Sequence, residues 1–146
     1  MNKGSYLLLI ELSEKEELQY GRRKLSFNKG YYIYVGSAMA NLKQRVDRHL
    51  SFKEKGYKKH WHIDNLLERG KIIATMVLPN SERKEEELSL LISGKAKKIP
   101  GFGATDCRRT DTNLFYLKSL DEYYNIARKA LEFNWETSST IAGNKN

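Results

Sequence analysis

Arg45 and His49 stand four residues apart, just after the tyrosine-rich segment GYYIYVGSA at residues 30–38. Together they offer a permanent cation beside a group that titrates near neutral pH. Leu42, Val46 and Leu50 recur at four-residue intervals, which predicts an amphipathic helix over residues 39–52. With Leu42 at zero and ~3.6 residues per turn, Val46 falls at about +40° and His49 at about −20°, both inside the apolar stripe. Arg45, at about −60°, lies on the stripe's border, and Arg48, at about −120°, lies outside it. Alone, each has an ordinary reading: a snorkelling arginine or a buried, satisfied histidine. As a pair beside Tyr32, Tyr34 and Gly36, which share one strand face by the period of two, a functional reading carries at least equal weight. Tyr31, Ile33 and Val35 occupy the opposite, more apolar face and are expected in the core.

His60, Trp61, His62 and Asp64 form a second cluster. Two histidines, an aspartate and the distant Cys107 could ligate zinc, but one cysteine without a CxxC pair makes this the minority reading. A structural or nucleic-acid-contacting role ranks above it. Lys53, Lys55, Lys58 and Lys59 precede the cluster and suit phosphate contacts, or simply a solvated loop.

The elements that must position these residues follow from pattern. Residues 5–12 (SYLLLIEL) read as a buried strand, 13–29 as a connecting hairpin or loop with an edge strand, and 30–36 as a β-rich strand between glycines. Such consecutive segments imply an antiparallel meander. Residues 60–70 suggest a second helix, and 71–79 another strand stopped by Pro79. Ser81 offers an N-cap for a helix to about residue 93, residues 98–107 form a glycine-rich loop, and 113–118 form a short last strand. A helix over 121–135 and a disordered tail over 136–146 complete the chain. The order predicts an α/β fold of the α+β type, with a small, mostly antiparallel sheet flanked by helices.

At 146 residues the chain is expected to form a single domain over 1–135. Its 26 basic residues against 18 acidic ones give a net charge of +8, which favours a polyanionic partner, nucleic acid above all. Cys107 is the only cysteine, so no intrachain disulfide forms and a cytoplasmic setting is the simplest expectation. The N-terminal apolar run, Leu7 to Ile10, is too short for a signal peptide or a membrane span.

Gly4-Ser5-Tyr6 opening the first strand, Tyr34-Val35-Gly36 in a later one, then Ser37, Asn41-Leu42-Lys43-Gln44-Arg45 and His49, resemble the GIY-YIG nuclease pattern. GYYIYVGSA, RHL, HWHID and GFGATDC resemble an uncharacterised branch of that superfamily, whose members occur alone or fused to DNA-repair endonucleases. The resemblance covers most of residues 4–117. It implies a three-stranded antiparallel sheet flanked by helices, here with an inserted hairpin or loop. It also implies metal-assisted hydrolysis of DNA phosphodiesters. Tyr6 would help deprotonate the attacking water, Tyr34 would hydrogen-bond the water or phosphate, and Arg45 would stabilise the transition-state charge, with His49 as a further catalytic candidate. One glutamate would hold Mg²⁺ or Mn²⁺. Of Glu85, Glu86 and Glu87, only Glu85 falls near the inward face, at about +60° from Leu88 beside Ile92 at about +40°. The ordinary reading of that run is an acidic first turn complementing the helix dipole. Ser37, Asn41, Arg48, Lys58, Lys59 and His60 are the expected nucleic-acid contacts. DNA is the expected partner, with a second copy of the chain or a DNA-repair protein as further candidates.

Tyr6 and Tyr34 lie 28 positions apart, where the superfamily usually joins its two motifs by a short hairpin. The catalytic reading therefore requires the insertion at 13–29 to leave the two tyrosines adjacent. The competing reading is a non-catalytic nucleic-acid-binding module that retains the fold. Convergence of Tyr6, Tyr34, Arg45 and Glu85 on one concave surface separates the two.

Overall fold

The computed structural model describes residues 1–20, 22–100, 102 and 112–143. The first apolar run becomes β1 (Gly4–Leu12), buried along nearly its whole length. It can be apolar on both faces because it has a strand on either side and helices above and below. The tyrosine-rich segment becomes β4 (Gly30–Ala38), two residues longer than the expected 30–36, and the apolar run after Gly70 becomes β5 (Lys71–Pro79).

Between β1 and β4, the charged stretch folds into β2 (Glu16–Tyr20) and β3 (Arg23–Phe27), which among the described residues pair only with each other. The expected meander is thus corrected. The main sheet pairs β1 directly with β4, in a register that sets Tyr6 against Gly36 and Leu8 against Tyr34. The intervening hairpin carries too few apolar residues to take a central place in the sheet. It buries Leu18 and Phe27 and leaves Glu17, Arg23 and Lys24 in solvent.

The remaining elements are α1 (Leu42–Leu50), α2 (Phe52–Lys55), α3 (His62–Arg69), α4 (Glu85–Ser93), β6 (Lys97–Lys98), β7 (Leu114–Leu117) and α5 (Leu120–Gly143). Among the described residues, the main sheet has five antiparallel strands in the order β5-β1-β4-β7-β6, not the expected three. The extra width arises at the outer edge of β4, where β7 pairs with Tyr31–Tyr34 and buries Leu114, Phe115 and Leu117. The α+β class is as expected; the strand number is not.

Helix limits differ locally for identifiable reasons. α1 starts only at Leu42, because Asn41 enters it with a left-handed backbone (φ 61°). Ser81 does not cap α4, which begins at Glu85 after Lys84. α5 runs past the expected end at residue 135 and takes in much of the segment read as tail. Its anchor is Asn80, fully buried at the end of β5, whose amide donates to Asn134 Oδ1 (3.2 Å) and Thr137 Oγ1 (3.0 Å). Among the described residues, no helix is long and apolar enough to cross a membrane.

Two cores lie on opposite faces of the sheet. One packs Leu7, Leu9, Ile33, Val35, Phe115 and Leu117 against Leu88 and Ile92 of α4 and Ile126 and Ala130 of α5. The other packs Tyr6, Leu8, Ile10, Tyr32 and Tyr34 beneath α1, α3 and the hairpin, through Leu42, Val46, Ile63, Leu66 and Leu18. The first is apolar throughout its buried cluster. The second contains the polar centre.

Candidate active site

On the α1 face of the sheet, pairing and pleat decide which rings meet. Tyr6 lies opposite Gly36, and Tyr34 lies two positions away on the same face of β4. Their ring centres are 6.4 Å apart. Gly36 makes this possible, because a methyl group at that position would overlap the Tyr6 ring. The long insertion therefore closes on itself and leaves the two tyrosines adjacent.

α1 crosses above them. Its inward face carries His49, 2 % exposed, with Nε2 at 2.8 Å from the Tyr6 hydroxyl. Arg45, one turn earlier on the border of the stripe, reaches over the end of β4 and donates from Nη1 to the Ser37 carbonyl (3.3 Å). Its guanidinium carbon lies 4.5 Å from the centre of the Trp61 ring. The Arg48 guanidinium carbon lies 4.7 Å from the same ring, so two cations share one indole.

α4 closes the site from the other side of the sheet. Glu85, at its first turn, is 8 % exposed. Its Oε1 accepts from Ser37 Oγ (3.1 Å), and its Oε2 accepts from Asn113 Nδ2 (3.1 Å) and Arg83 Nη2 (3.2 Å). Asn113 is itself oriented by Ser89, whose hydroxyl donates to Asn113 Oδ1 at 2.8 Å. Ser37 links the two sides: its carbonyl receives Arg45 while its hydroxyl holds Glu85.

Together these residues surround a cavity of about 450 Å³, lined by Tyr6, Tyr34, Gly36, Ser37, Arg45, His60, Trp61, His62, Arg83, Glu85 and Asn113, among others. Burial pushes the Tyr6 phenol above its ordinary ionisation range; Arg45 opposes this by charge and hydrogen bond, while Glu85 and Asp64 reinforce it. Tyr34 is raised as well, again first by burial. Burial lowers the His49 imidazole to about 4, with Asp64 acting upward and Arg48 and Arg45 downward. At neutral pH the Tyr6–His49 pair is therefore uncharged on both sides.

Six of the expected site residues line this cavity: Tyr6, Tyr34, Ser37, Arg45, His60 and Glu85. His49 lies behind Tyr6. Arg48 lies apart from the cavity lining, clamped in a bidentate pair with the fully buried Asp64 (3.0 and 3.1 Å) and donating to the Lys58 carbonyl (3.0 Å). Asp64 also accepts from the backbone N–H groups of His60 (2.7 Å) and Trp61 (3.0 Å). Burial alone would raise this carboxyl, but the Arg48 and backbone hydrogen bonds outweigh it and hold it below its usual value. The clamp fixes the turn that carries His60 and Trp61 to the cavity rim. Asn41 and Lys58 are exposed and outside the cavity lining, and Lys59 pairs with Glu68 at 2.9 Å. Tyr32 is buried in the core, with its hydroxyl donating to the Asn28 carbonyl (2.6 Å).

For the zinc reading, Asp64 is taken by Arg48 and Cys107 lies outside the described residues. Among the described residues, no three His, Cys, Asp or Glu side chains group closely enough to hold a metal ion by themselves. Sequence reasoning missed Asn113, Arg83 and the Trp61 platform. The one available signal for Asn113 was an asparagine placed directly before the apolar run LFYL.

The fold and this centre define a small α+β domain with a polar cavity set into one face of an otherwise closed sheet. The model of the family described as Domain of unknown function DUF123 matches residues 5–135, and the chain belongs to that family. No curated protein and no solved structure matches it.

Proposed function

We propose that this protein is a GIY-YIG-type, divalent-metal-dependent endonuclease that hydrolyses DNA phosphodiester bonds in the cytoplasm. The carrying observation is that Tyr6, Tyr34, Arg45 and Glu85, drawn from β1, β4, α1 and α4, line one cavity. A guanidinium anchored by the Ser37 carbonyl and an indole stands ready for the charge that grows on phosphorus in the transition state. Two phenols on the opposite wall can hydrogen-bond a water or a phosphate oxygen. The excess of basic residues suits a polyanion.

The donor set fits a hard cation. Glu85 supplies a carboxylate and Ser37 a neighbouring hydroxyl oxygen, and among the described residues the lining contains no cysteine. A single carboxylate suits Mg²⁺ or Mn²⁺ that keeps several of its waters. When bound through Glu85, such an ion would supply Lewis-acid stabilisation of the phosphoryl oxygens. Ser37, Asn113 and Arg83 fix the Glu85 carboxylate at the wall, and Arg45 binds and orients the anion.

The test is cleavage of linear, nicked, branched and damaged DNA with Mg²⁺ or Mn²⁺. Nicking by the wild type that disappears in Tyr6→Phe, Arg45→Ala and Glu85→Ala is the expected result. No cleavage across all substrates and metals, or unimpaired variants, would sink the reading. Salt-dependent DNA binding indifferent to these substitutions would then identify a non-catalytic binding module.

A further inference from the structure

The buried His49 ring has one nitrogen that the site uses and one that it does not. Nε2 meets the Tyr6 hydroxyl, whereas Nδ1 has no hydrogen-bond partner among the described residues. A buried nitrogen left without a partner is costly, and such atoms usually find water. His49 also lines a second cavity, of about 170 Å³, bordered by Phe52, Leu67, Gly70 and Ile72 and by the exposed Lys53 and Lys71. That volume is ample for water, which needs room for about one probe sphere. Tyr6 lines the first cavity and not the second, while His49 lines the second and not the first. The two members of the hydrogen-bonded phenol–imidazole pair thus each border a different cavity.

We infer that His49 is a proton relay connecting the candidate active site, through Tyr6, to water in this second cavity. The inference rests on the hydrolytic reading above and explains how a buried tyrosine can serve it. As the water oxygen forms its bond to phosphorus and the bond to the leaving oxygen breaks, the water proton passes to the Tyr6 oxygen. The Tyr6 proton moves to His49 Nε2, and the Nδ1 proton moves to water in the second cavity. The reverse passage resets the ring: cavity water returns a proton to Nδ1, Nε2 returns one to Tyr6, and Tyr6 passes one to the leaving oxygen. Tyr6 never has to exist as a free phenolate, the form that its burial opposes.

The relay needs a neutral imidazole at rest. Arg45 and Arg48 on its own helix help to keep it so, against Asp64 on α3; Tyr6 and Tyr34 face it from the sheet as uncharged phenols. Lys53 and Lys71, at the border of the second cavity, add positive charge on the exit side.

Two measurements on the wild-type protein test the path without relying on a variant or on cleavage. Nitrogen-15 NMR of the histidines is expected to show His49 as the neutral Nδ1–H tautomer at neutral pH. A high-resolution crystal structure is expected to show an ordered water within hydrogen-bond distance of Nδ1. The opposite tautomer, or an Nδ1 with no water, would overturn the relay even if the protein cleaves DNA. In turnover, His49→Gln, which retains an acceptor for Tyr6, is expected to cut the cleavage rate by roughly 100-fold, and imidazole is expected to restore part of the rate of His49→Ala. A His49→Gln enzyme as fast as wild type would also overturn it. A wild type that cleaves nothing would instead remove the nuclease reading, with tautomer and water still deciding the path.

Discussion

The two faces of the main sheet are built from the same strands and yet do opposite things. On the α4–α5 face, Leu7, Leu9, Ile33 and Val35 alternate with the site residues along β1 and β4 and pack into an apolar core. On the α1–α3 face, Tyr6, Tyr34 and Gly36 occupy the intervening positions, and His49, Arg45 and Trp61 meet them over a cavity. A period of two places each residue on its face, so a closed core one residue away braces every site side chain on these strands. The lesson is a division of labour: one face supplies rigidity, and the other can hold polar groups whose burial costs stability. Glu85 crosses this division. It begins the helix that seals the dry face, but turns its carboxylate around the end of β4 into the cavity.

The sharpest way to break the comparison is to damage the dry face. Phe115→Ala, at a fully buried position there, is expected to destabilise the fold by about 3–5 kcal/mol in a denaturant titration. DNA cleavage by the fraction still folded is expected to be near normal. Arg45→Ala is the mirror image, with cleavage reduced on the order of 100–1,000-fold and a smaller change in stability. Equal stability losses for both variants would erase the proposed division.

A third experiment uses pH. The folded-state pKa of His49 is lowered to about 4 from an ordinary 6.5, so between these values the unfolded chain binds more protons than the native one. This contribution is complete above pH 6.5 and is lost as the pH falls towards 4. It amounts to about 3 kcal/mol. Chemical denaturation across that window is expected to show the fall, and His49→Gln is expected to flatten it. The lowered Asp64 adds a loss of the same sign at more acidic pH, so the variant is compared with wild type rather than with a flat line.

Gly36→Ala places a methyl group against the Tyr6 ring and is expected to cost about 1–3 kcal/mol. It should also move the phenol from His49, which loss of the tyrosine–histidine contact in an NMR spectrum would register. Lys59→Ala marks the small end of the range. Its pair with Glu68 is half-exposed, and a change within about 0.5 kcal/mol is expected in the same titration.

Much of this was legible in local pattern. The four-residue recurrence of Leu42, Val46 and Leu50 placed His49 inward, Arg45 at the border and Arg48 outside, and the structure keeps that order. Angular spacing from Leu88 likewise singled out Glu85, the buried member of its acidic run, beside the half-buried Glu86 and Glu87. These readings succeed because helix and strand periods are set by the backbone and need no partner.

The partners themselves were not legible. Whether Tyr6 meets Tyr34 depended on how residues 13–29 close, and a hairpin that pairs with itself leaves no trace in the pattern of β1 or β4. Asn113 and Asp64 acquired their roles only when distant segments arrived: Glu85 from α4 for one, Arg48 from α1 for the other. The width of the sheet was decided by an open edge on β4 that β7 could bury. By itself, then, the sequence determined which side chains share a face, because that is fixed within a few residues by backbone geometry. The tertiary structure decided which faces meet, because register, closure and the pairing of buried charges are long-range competitions that only the folded chain resolves.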